Sequence, residues 1–398
     1  MNNFGYNYNI KQYEVILMLT RFEVENYKNF KNKLTLSFDN PGGYKFNQDC
    51  LHNGIISKSM IYGRNASGKT NLGNALMDIT DVLSYRNREQ IIKNADSTDM
   101  ITKFKYCFLF GDTEVEYNYE KTDEQTLTVE TLLINEEKIY SVDYRNKVFI
   151  SLNLSPVSVE TLDVNKFFSS LDSMTDEGNY ILPKVTFLRW IAFNSSLKKD
   201  SILASLVNFI NRMYAVSVSS SLRPINSPMQ RRLFQEFDDD DLREMEDFFS
   251  LMGIECKLRL LQMPEGEKKL YFDHQEFPVP FFETASSGTI ALFNLYWRIV
   301  RPAKGFSLLF LDEYDAFYHY EMAENLFKFF KIYYPNTQII FTTHNTNLMT
   351  SRLSRPDCLF ILSLDGRITA LCDATERELR EGHNLEKLYI SGEFEDYE

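Results

Sequence analysis

Between Leu19 and Phe38 apolar and polar residues alternate, with Phe22 and Val24 in a first run and Leu34, Leu36 and Phe38 in a second. The pattern predicts two strands around a turn at Asn29 to Asn32. Met18 stands directly before it and is read as the natural start of the folded unit, which leaves residues 1–17 as an N-terminal extension. Alternation resumes over Lys103 to Leu152: Phe104, Tyr106, Phe108 and Phe110; Val115, Tyr117 and Tyr119; Leu127, Val129, Leu132 and Ile134; then Ile139, Val142, Val148 and Ile150. Turns at Gly111-Asp112 and Arg145-Asn146 punctuate it, so the stretch predicts a half-buried antiparallel meander. Its tyrosines fit two roles, β-formers packed on a sheet face or platforms for stacked bases.

The period then lengthens. Ile202, Leu203, Leu206, Val207, Ile210 and Met213 form one helical stripe, and Leu242, Met245, Phe248, Phe249 and Met252 another, separated by the Ser- and Pro-bearing segment Ser217 to Pro228. Asp238 to Asp241 head the second helix. Contiguous carboxylates mostly point apart, so they predict a capped, solvated helix start in preference to a metal site. Strands return at Cys256 to Leu261 and Leu270 to Asp273, followed by an apolar helix Ile290 to Val300 and a buried strand ending at Leu311. Glu321 to Tyr334 predicts a helix stopped by Pro335, Gln338 to His344 a buried strand, and Cys358 to Cys372 a closing hairpin around Asp365-Gly366. The expected organisation is an N-terminal lobe over residues 18–152, a helical insertion over 153–252 and a C-terminal lobe over 253–398.

With 398 residues and 44% hydrophobic content, the chain can bury a large core. No apolar run approaches the roughly 20 residues of a membrane span, and residues 1–17 lack the basic start and long apolar core of a secretion signal. Five scattered cysteines without a C-x-x-C pair argue for reduced thiols in a cytoplasm. A net charge of −13 argues against coating nucleic acid through bulk electrostatics, while a local basic groove stays open.

The chemistry concentrates at Gly63-Arg64-Asn65-Ala66-Ser67-Gly68-Lys69-Thr70, which fills every position of the phosphate-binding pattern G-x-x-x-x-G-K-[ST]. Successive backbone N–H groups of such a loop converge on phosphates. The helix from Asn71 adds the partial positive charge of its N-terminus. Lys69 is placed to reach β- and γ-phosphates, and the Thr70 hydroxyl to ligate Mg²⁺. Ser307 to Glu313 reads as an apolar strand ending in two acids. Asp312 there would hold Mg²⁺ and Glu313 would polarise the attacking water. Ser286, Ser287 and Gly288 open a helix and form a second candidate anion site. His344 ends the strand after the Asp-Glu strand, which favours a role near the γ-phosphate.

This order of motifs resembles the ABC-type ATPase heads of the SMC, RecF and overcoming-lysogenization-defect group. More narrowly, Phe22 to Phe30 and Asn384 to Phe394 are similar to the opening and tail of compact bacterial AAA-family ATPases. The resemblance implies an α/β fold with a mixed β-sheet core, an antiparallel meander subdomain and a helical insertion. It implies ATP and Mg²⁺ as cofactors and a homodimer or higher oligomer. In such an assembly Ser286, Ser287 and Gly288 of one chain meet the γ-phosphate held by Lys69 of another. Many relatives act in antiviral or abortive-infection systems beside a separate nuclease or toxin, so the expected function is a nucleotide-gated regulator of such an effector. A repair or recombination ATPase acting directly on DNA is the alternative. The Mg²⁺-coordinating glutamine stays unassigned, with Gln90 the nearest candidate, and the absence of a second glycine after Gly288 departs from transporter ATPases.

Overall fold

The computed structural model describes residues 17–84, 92–123, 126–157, 159, 162–172, 185–217, 237–264, 266–274, 276–302 and 305–398. Gln90, the Ser217 to Pro228 segment beyond Ser217, and all but Leu17 of the N-terminal extension lie outside them. The chain divides into two compact units. The larger runs to Ala215 and takes in Phe306–Phe310 and Asn336–Glu398; the smaller holds the described residues of Val216–Gly305 and Leu311–Pro335.

In chain order the larger unit begins with β1 (Leu17–Glu25), β2 (Leu34–Ser37), the short pair β3 (Leu51–His52) and β4 (Ile55–Ile56), then β5 (Lys58–Tyr62) and helix α1 (Lys69–Ser84). Strands β6 (Thr102–Phe110), β7 (Thr113–Lys121), β8 (Leu127–Ile134), β9 (Glu137–Asp143) and β10 (Val148–Leu152) follow. Helices α2 (Asn165–Asp172), α3 (Phe187–Asn194) and α4 (Ile202–Asn211) lead to β11 (Met213–Ser217). The smaller unit supplies α5 (Asp239–Leu251), the sheet β12 (Leu258–Gln262), β13 (Lys268–Phe272) and β14 (Val279–Pro280), then α6 (Phe281–Thr284) and α7 (Ser287–Leu295). Next come β15 (Leu308–Asp312) and α8 (Tyr320–Tyr333), and finally β16 (Gln338–Thr343), β17 (Leu359–Leu362), β18 (Ile368–Ala370) and α9 (Leu385–Ile390).

One sheet of the larger unit is an antiparallel meander in the order β10-β9-β8-β7-β6-β1-β2. Phe104, Tyr106, Phe108 and Phe110 point inward as their alternation requires. Two later strands do not keep the expected face. A register shift between Glu120 and Lys121 puts Glu130 on the buried side, so it takes the interior position and Val129 is only half buried. On β10, Val148 and Ile150 are 47% and 62% exposed, because Phe149 turns in against Phe167 and Phe187 and buries more apolar area than either.

The tyrosines resolve to the packing role. Tyr106, Tyr117, Tyr119, Tyr140 and Tyr144 are fully buried, and their hydroxyls find acceptors inside the fold. Tyr117 and Tyr140 donate to Glu130 at 3.0 and 2.8 Å, and Tyr144 donates to it too. The Glu130 carboxylate also accepts the backbone N–H groups of Phe187 at 2.7 Å and Leu188 at 3.0 Å, at the start of α3. A buried anion is thus satisfied by a helix N-terminus.

The second sheet has the order β11-β15-β16-β5-β17-β18, with β5 parallel to both β16 and β17. Every residue of β5, β15, β16 and β17 is buried, as a covered sheet demands. Met213, expected on the α4 stripe, instead opens β11. The helix stops at Asn211 because the chain is drawn to β15, where Ser307 donates to the carbonyls of Arg212 at 3.1 Å and Phe209 at 2.6 Å. Gln338 ties the two sheets: its amide bonds both the N–H and C=O of Leu19 at 3.1 and 2.9 Å, beside the irregularity in the β1–β6 register. Helix α1 lies between the sheets. Gly73 meets the Phe310 ring with no room for a Cβ, while on the other side Tyr106 donates to the Ala75 carbonyl at 2.9 Å and Lys121 pairs with Asp78 at 2.8 Å.

In the smaller unit Asp238 caps α5, accepting from the N–H groups of Asp240 and Asp241, and the Asp241 carboxylate returns to the Asp238 N–H at 3.2 Å. Asp241 also pairs with Arg301, whose guanidinium lies over Trp297. Asp238 and Asp241 therefore build a capping box, and Asp241 an ion pair besides.

Candidate functional site

The Gly63–Thr70 loop leaves the end of β5 in the larger unit. Positive φ at Ala66 (68°) and Gly68 (103°) lets it turn back toward α1. A Cβ on Gly63 would sit 2.9 Å from the Leu362 carbonyl, so only glycine allows the loop to leave the sheet at that point. The Lys69 ammonium, buried on the first turn of α1, donates to the carbonyls of Gly63 at 2.7 Å and Arg64 at 3.1 Å. Those two carbonyls hold it across the loop's concave side, as a phosphate-binding lysine requires. The Ser67 hydroxyl is buried there with no hydrogen-bond partner, and Arg64, Asn65, Ala66 and Thr70 are exposed. Glycines that a Cβ would obstruct and an orphaned hydroxyl in a closed turn fit a polyphosphate.

Two strand ends flank the loop. Thr343, the last residue of β16, pairs with Tyr62, so the exposed His344 stands one step beyond, level with Gly63. On the other side β17 ends at Leu362. His344 is thus brought beside the loop, within the same unit.

Two residues outside the sequence expectation complete this region. Asn29, at the tip of the turn joined by the mutual backbone bonds of Tyr27 and Phe30, donates its amide to the Ser67 carbonyl at 3.0 Å. Its side-chain oxygen accepts from Asn71 at 2.8 Å, so the Asn71 amide is engaged with Asn29. Glu398 pairs with Arg64. Burial, followed by the neighbouring Glu398 charge, pushes the Tyr389 hydroxyl beside this pair up to about 12. Asn29 falls inside the Phe22 to Phe30 motif, the one signal that could have marked it.

The smaller unit holds the remaining candidates. Asp312 is buried at the end of β15, and Glu313 follows with φ at 48°, a left-handed conformation costing about 1–2 kcal/mol for a residue with a Cβ. Strain of this kind persists where the surroundings hold it, often at functional positions. Ser286 caps α7, accepting from the Thr289 N–H at 3.1 Å, and Ser287 is exposed on the first turn. A Cβ on Gly288 would come to 2.8 Å from the Phe317 carbonyl, so the Ser-Ser-Gly turn is packed onto the segment just after Glu313. Tyr318 in that segment has a buried hydroxyl without a partner, and burial raises its pKa. Among the described residues, no group of three or more His, Cys, Asp or Glu side chains could hold a metal ion.

The family described as "AAA domain, putative AbiEii toxin, Type IV TA system" matches residues 59–350, and the chain belongs to it. The match takes in the Gly63–Thr70 loop, Ser286 to Gly288, the Asp312-Glu313 pair and His344. Solved structures similar to the chain include an SMC head bound to the C-terminal winged-helix domain of ScpA, at 14% identity over 86% of this chain and 93% of that one, with a TM-score of 0.44. The SMC head domain from Thermotoga maritima is 14% identical over 89% of this chain and 98% of that one, with a TM-score of 0.41. An SMC head from Pyrococcus furiosus bound to the C-terminal domain of ScpA is 12% identical over 89% and 96%, with a TM-score of 0.44. No curated protein matches the sequence. Among the described residues no helix is long and apolar enough to cross a membrane.

Proposed function

We propose that the chain binds and hydrolyses ATP with Mg²⁺, and that the nucleotide state controls a separate nuclease or toxin in defence against phage. The observation that supports ATP binding best is the Gly63–Thr70 loop, with Lys69 bridged across it onto the Gly63 and Arg64 carbonyls. Lys69 exchanges those carbonyls for the β- and γ-phosphates, and the backbone N–H groups up to Asn71 at the start of α1 cradle them. Thr70 and Asp312 would hold the Mg²⁺, which would supply positive charge to the phosphate oxygens. Glu313 takes a proton from the attacking water, and His344 donates toward the γ-phosphate. Ser286, Ser287 and Gly288 serve the nucleotide of a second copy, which makes the active form a dimer or larger oligomer. The family description, which names a toxin and a toxin–antitoxin system, supports the defence role.

Mg²⁺-dependent ATP turnover is the test. Lys69→Ala is expected to lose binding, and Glu313→Gln to bind ATP while turning over on the order of 10²-fold more slowly or worse. Wild-type turnover in Glu313→Gln would remove Glu313 from the role of base.

A further inference from the structure

Asn29 bears on a part of the loop that no side chain of the G-x-x-x-x-G-K-[ST] pattern controls. A phosphate loop works only if the peptide groups that meet the phosphates are turned with N–H inward and C=O outward. The Ser67–Gly68 peptide is the one most free to turn over, because it precedes a glycine at φ 103°. Asn29 Nδ2 holds its carbonyl at 3.0 Å from outside the loop. In a planar trans peptide the C=O and N–H point in opposite directions, so fixing the Ser67 oxygen outward aims the Gly68 N–H inward.

The amide of Asn29 is itself oriented. Its Oδ1 accepts from Asn71 Nδ2 at 2.8 Å, which leaves Nδ2, and not the oxygen, facing Ser67. The approach is so close that a Cβ on Gly68 would strike the Asn29 side chain. Gly68 therefore admits both the left-handed backbone and its partner. Asn29 is held from behind: the Lys28 N–H donates to the Ile92 carbonyl at 2.7 Å, and the Asn94 amide donates to the Lys28 carbonyl at 2.6 Å. Lys28 adopts φ 46°, a strained turn fixed by these bonds.

We infer that Asn29 is a positioning residue for phosphate binding: it locks the Ser67–Gly68 peptide in the anion-ready orientation, and Asn71 acts through it. The inference rests on the nucleotide-binding reading of the loop and deepens it. Asn29→Asp keeps the shape and loses the donor; it is expected to bind fluorescent ADP and ATP with Mg²⁺ roughly 10-fold or more weakly, as Asn29→Ala does, with an unchanged melting temperature within a few degrees. Asn71→Ala is expected to lose less, and the Asn29→Ala/Asn71→Ala double variant no more than Asn29→Ala alone. Wild-type affinity in Asn29→Asp overturns the lock, and additive losses in the double variant overturn the relay. A crystal structure of nucleotide-free Asn29→Ala reads the peptide directly. A turned or disordered Ser67–Gly68 peptide supports the lock, and an unchanged one refutes it, whether or not wild-type protein binds nucleotide.

Discussion

Arg64, the second residue of the Gly63–Thr70 loop, and Glu398, 334 positions later, share an ion pair in which Nε lies 2.9 Å from the carboxylate and Nη2 also donates to it. The tail that carries Glu398 is docked by the Leu364 N–H on the Glu398 carbonyl at 3.3 Å and by Arg367 on the Asp396 carbonyl at 3.3 Å. An acidic side chain is thereby held at a loop proposed to receive phosphates. Glu398→Gln frees Arg64 and is expected to bind ATP about two- to five-fold more tightly at low salt, the scale of an exposed ion pair. The gain should vanish in about 0.5 M salt, where charges screen over a few ångströms. Equal affinities at low salt would show that Arg64 does not face the nucleotide.

Glu313 carries strain that glycine would relieve. Glu313→Gly is expected to raise unfolding stability by about 0.5–1 kcal/mol, the left-handed penalty less the entropy glycine adds to the unfolded chain. ATP turnover should fall on the order of 10²-fold in the same protein. Denaturant titration beside a phosphate-release assay separates the two effects, and a destabilised Glu313→Gly would remove the strain argument.

Ser287 is exposed at the start of α7, where a partner's nucleotide is proposed to dock. Ser287→Arg is expected to bind ATP normally and fail to assemble. Sedimentation with and without ATP, using Glu313→Gln to hold the ATP-bound state, reads this. Normal hydrolysis by monomeric Ser287→Arg would dismiss the shared site.

The Asp78–Lys121 pair, with Asp78 also accepting from Tyr119 at 2.7 Å, is buried behind α1. Either Asp78→Ala or Lys121→Ala alone strands a charge and should cost about 3–5 kcal/mol. A combined Asp78→Leu/Lys121→Met replacement should recover most of that loss. Chemical denaturation of the three variants tests it, and additive losses would argue against coupling.

Alkaline pH should unfold the larger unit. Burial first, then a nearby carboxylate, raises the pKa of Tyr106 and Tyr119 beside Asp78 and of Tyr117, Tyr140 and Tyr144 beside Glu130 well above 10. The folded state keeps these protons while the unfolded state releases them near pH 10, so stability is intact below pH 10 and falls as pH rises above it. Each such tyrosine contributes up to about 1.4 kcal/mol per pH unit. Absorbance at about 295 nm should show them ionising only together with loss of circular dichroism. Ionisation ahead of unfolding would mean the hydroxyls are reachable in the fold.

The loop, the Asp-Glu strand and the Ser-Ser-Gly turn were legible because each is written in a few contiguous residues whose chemistry is local. So were α8 and the β17–β18 hairpin, whose periodicity and turn residues agree. Asn29 and Glu398 were not, since their partners lie 38 and 334 residues away and no local pattern encodes the meeting. Val129 departs from its expected face because alternation is blind to a bulge, here the register shift at Glu120/Lys121, while Val148 and Ile150 do so because Val148-Phe149-Ile150 is a run of three apolar residues whose inward member, Phe149, is chosen by packing on Phe167 and Phe187. Met213 looked helical because its stripe is continuous with α4, while the competing pull came from Ser307, nearly a hundred residues on.

Glu130 has a consequence for how the chain can be made. Two of the groups that satisfy it, the Phe187 and Leu188 N–H groups, are 57 and 58 residues downstream. During synthesis the meander emerges with an anion at its centre and only tyrosine hydroxyls to solvate it, so its final closure waits for α3 to be extruded. A fragment cut between β10 and Thr186 would carry every strand of the meander and still lack the donors that neutralise its core. The antiparallel sheet is therefore not a portable module, and a truncation designed on sheet boundaries alone should yield aggregating protein.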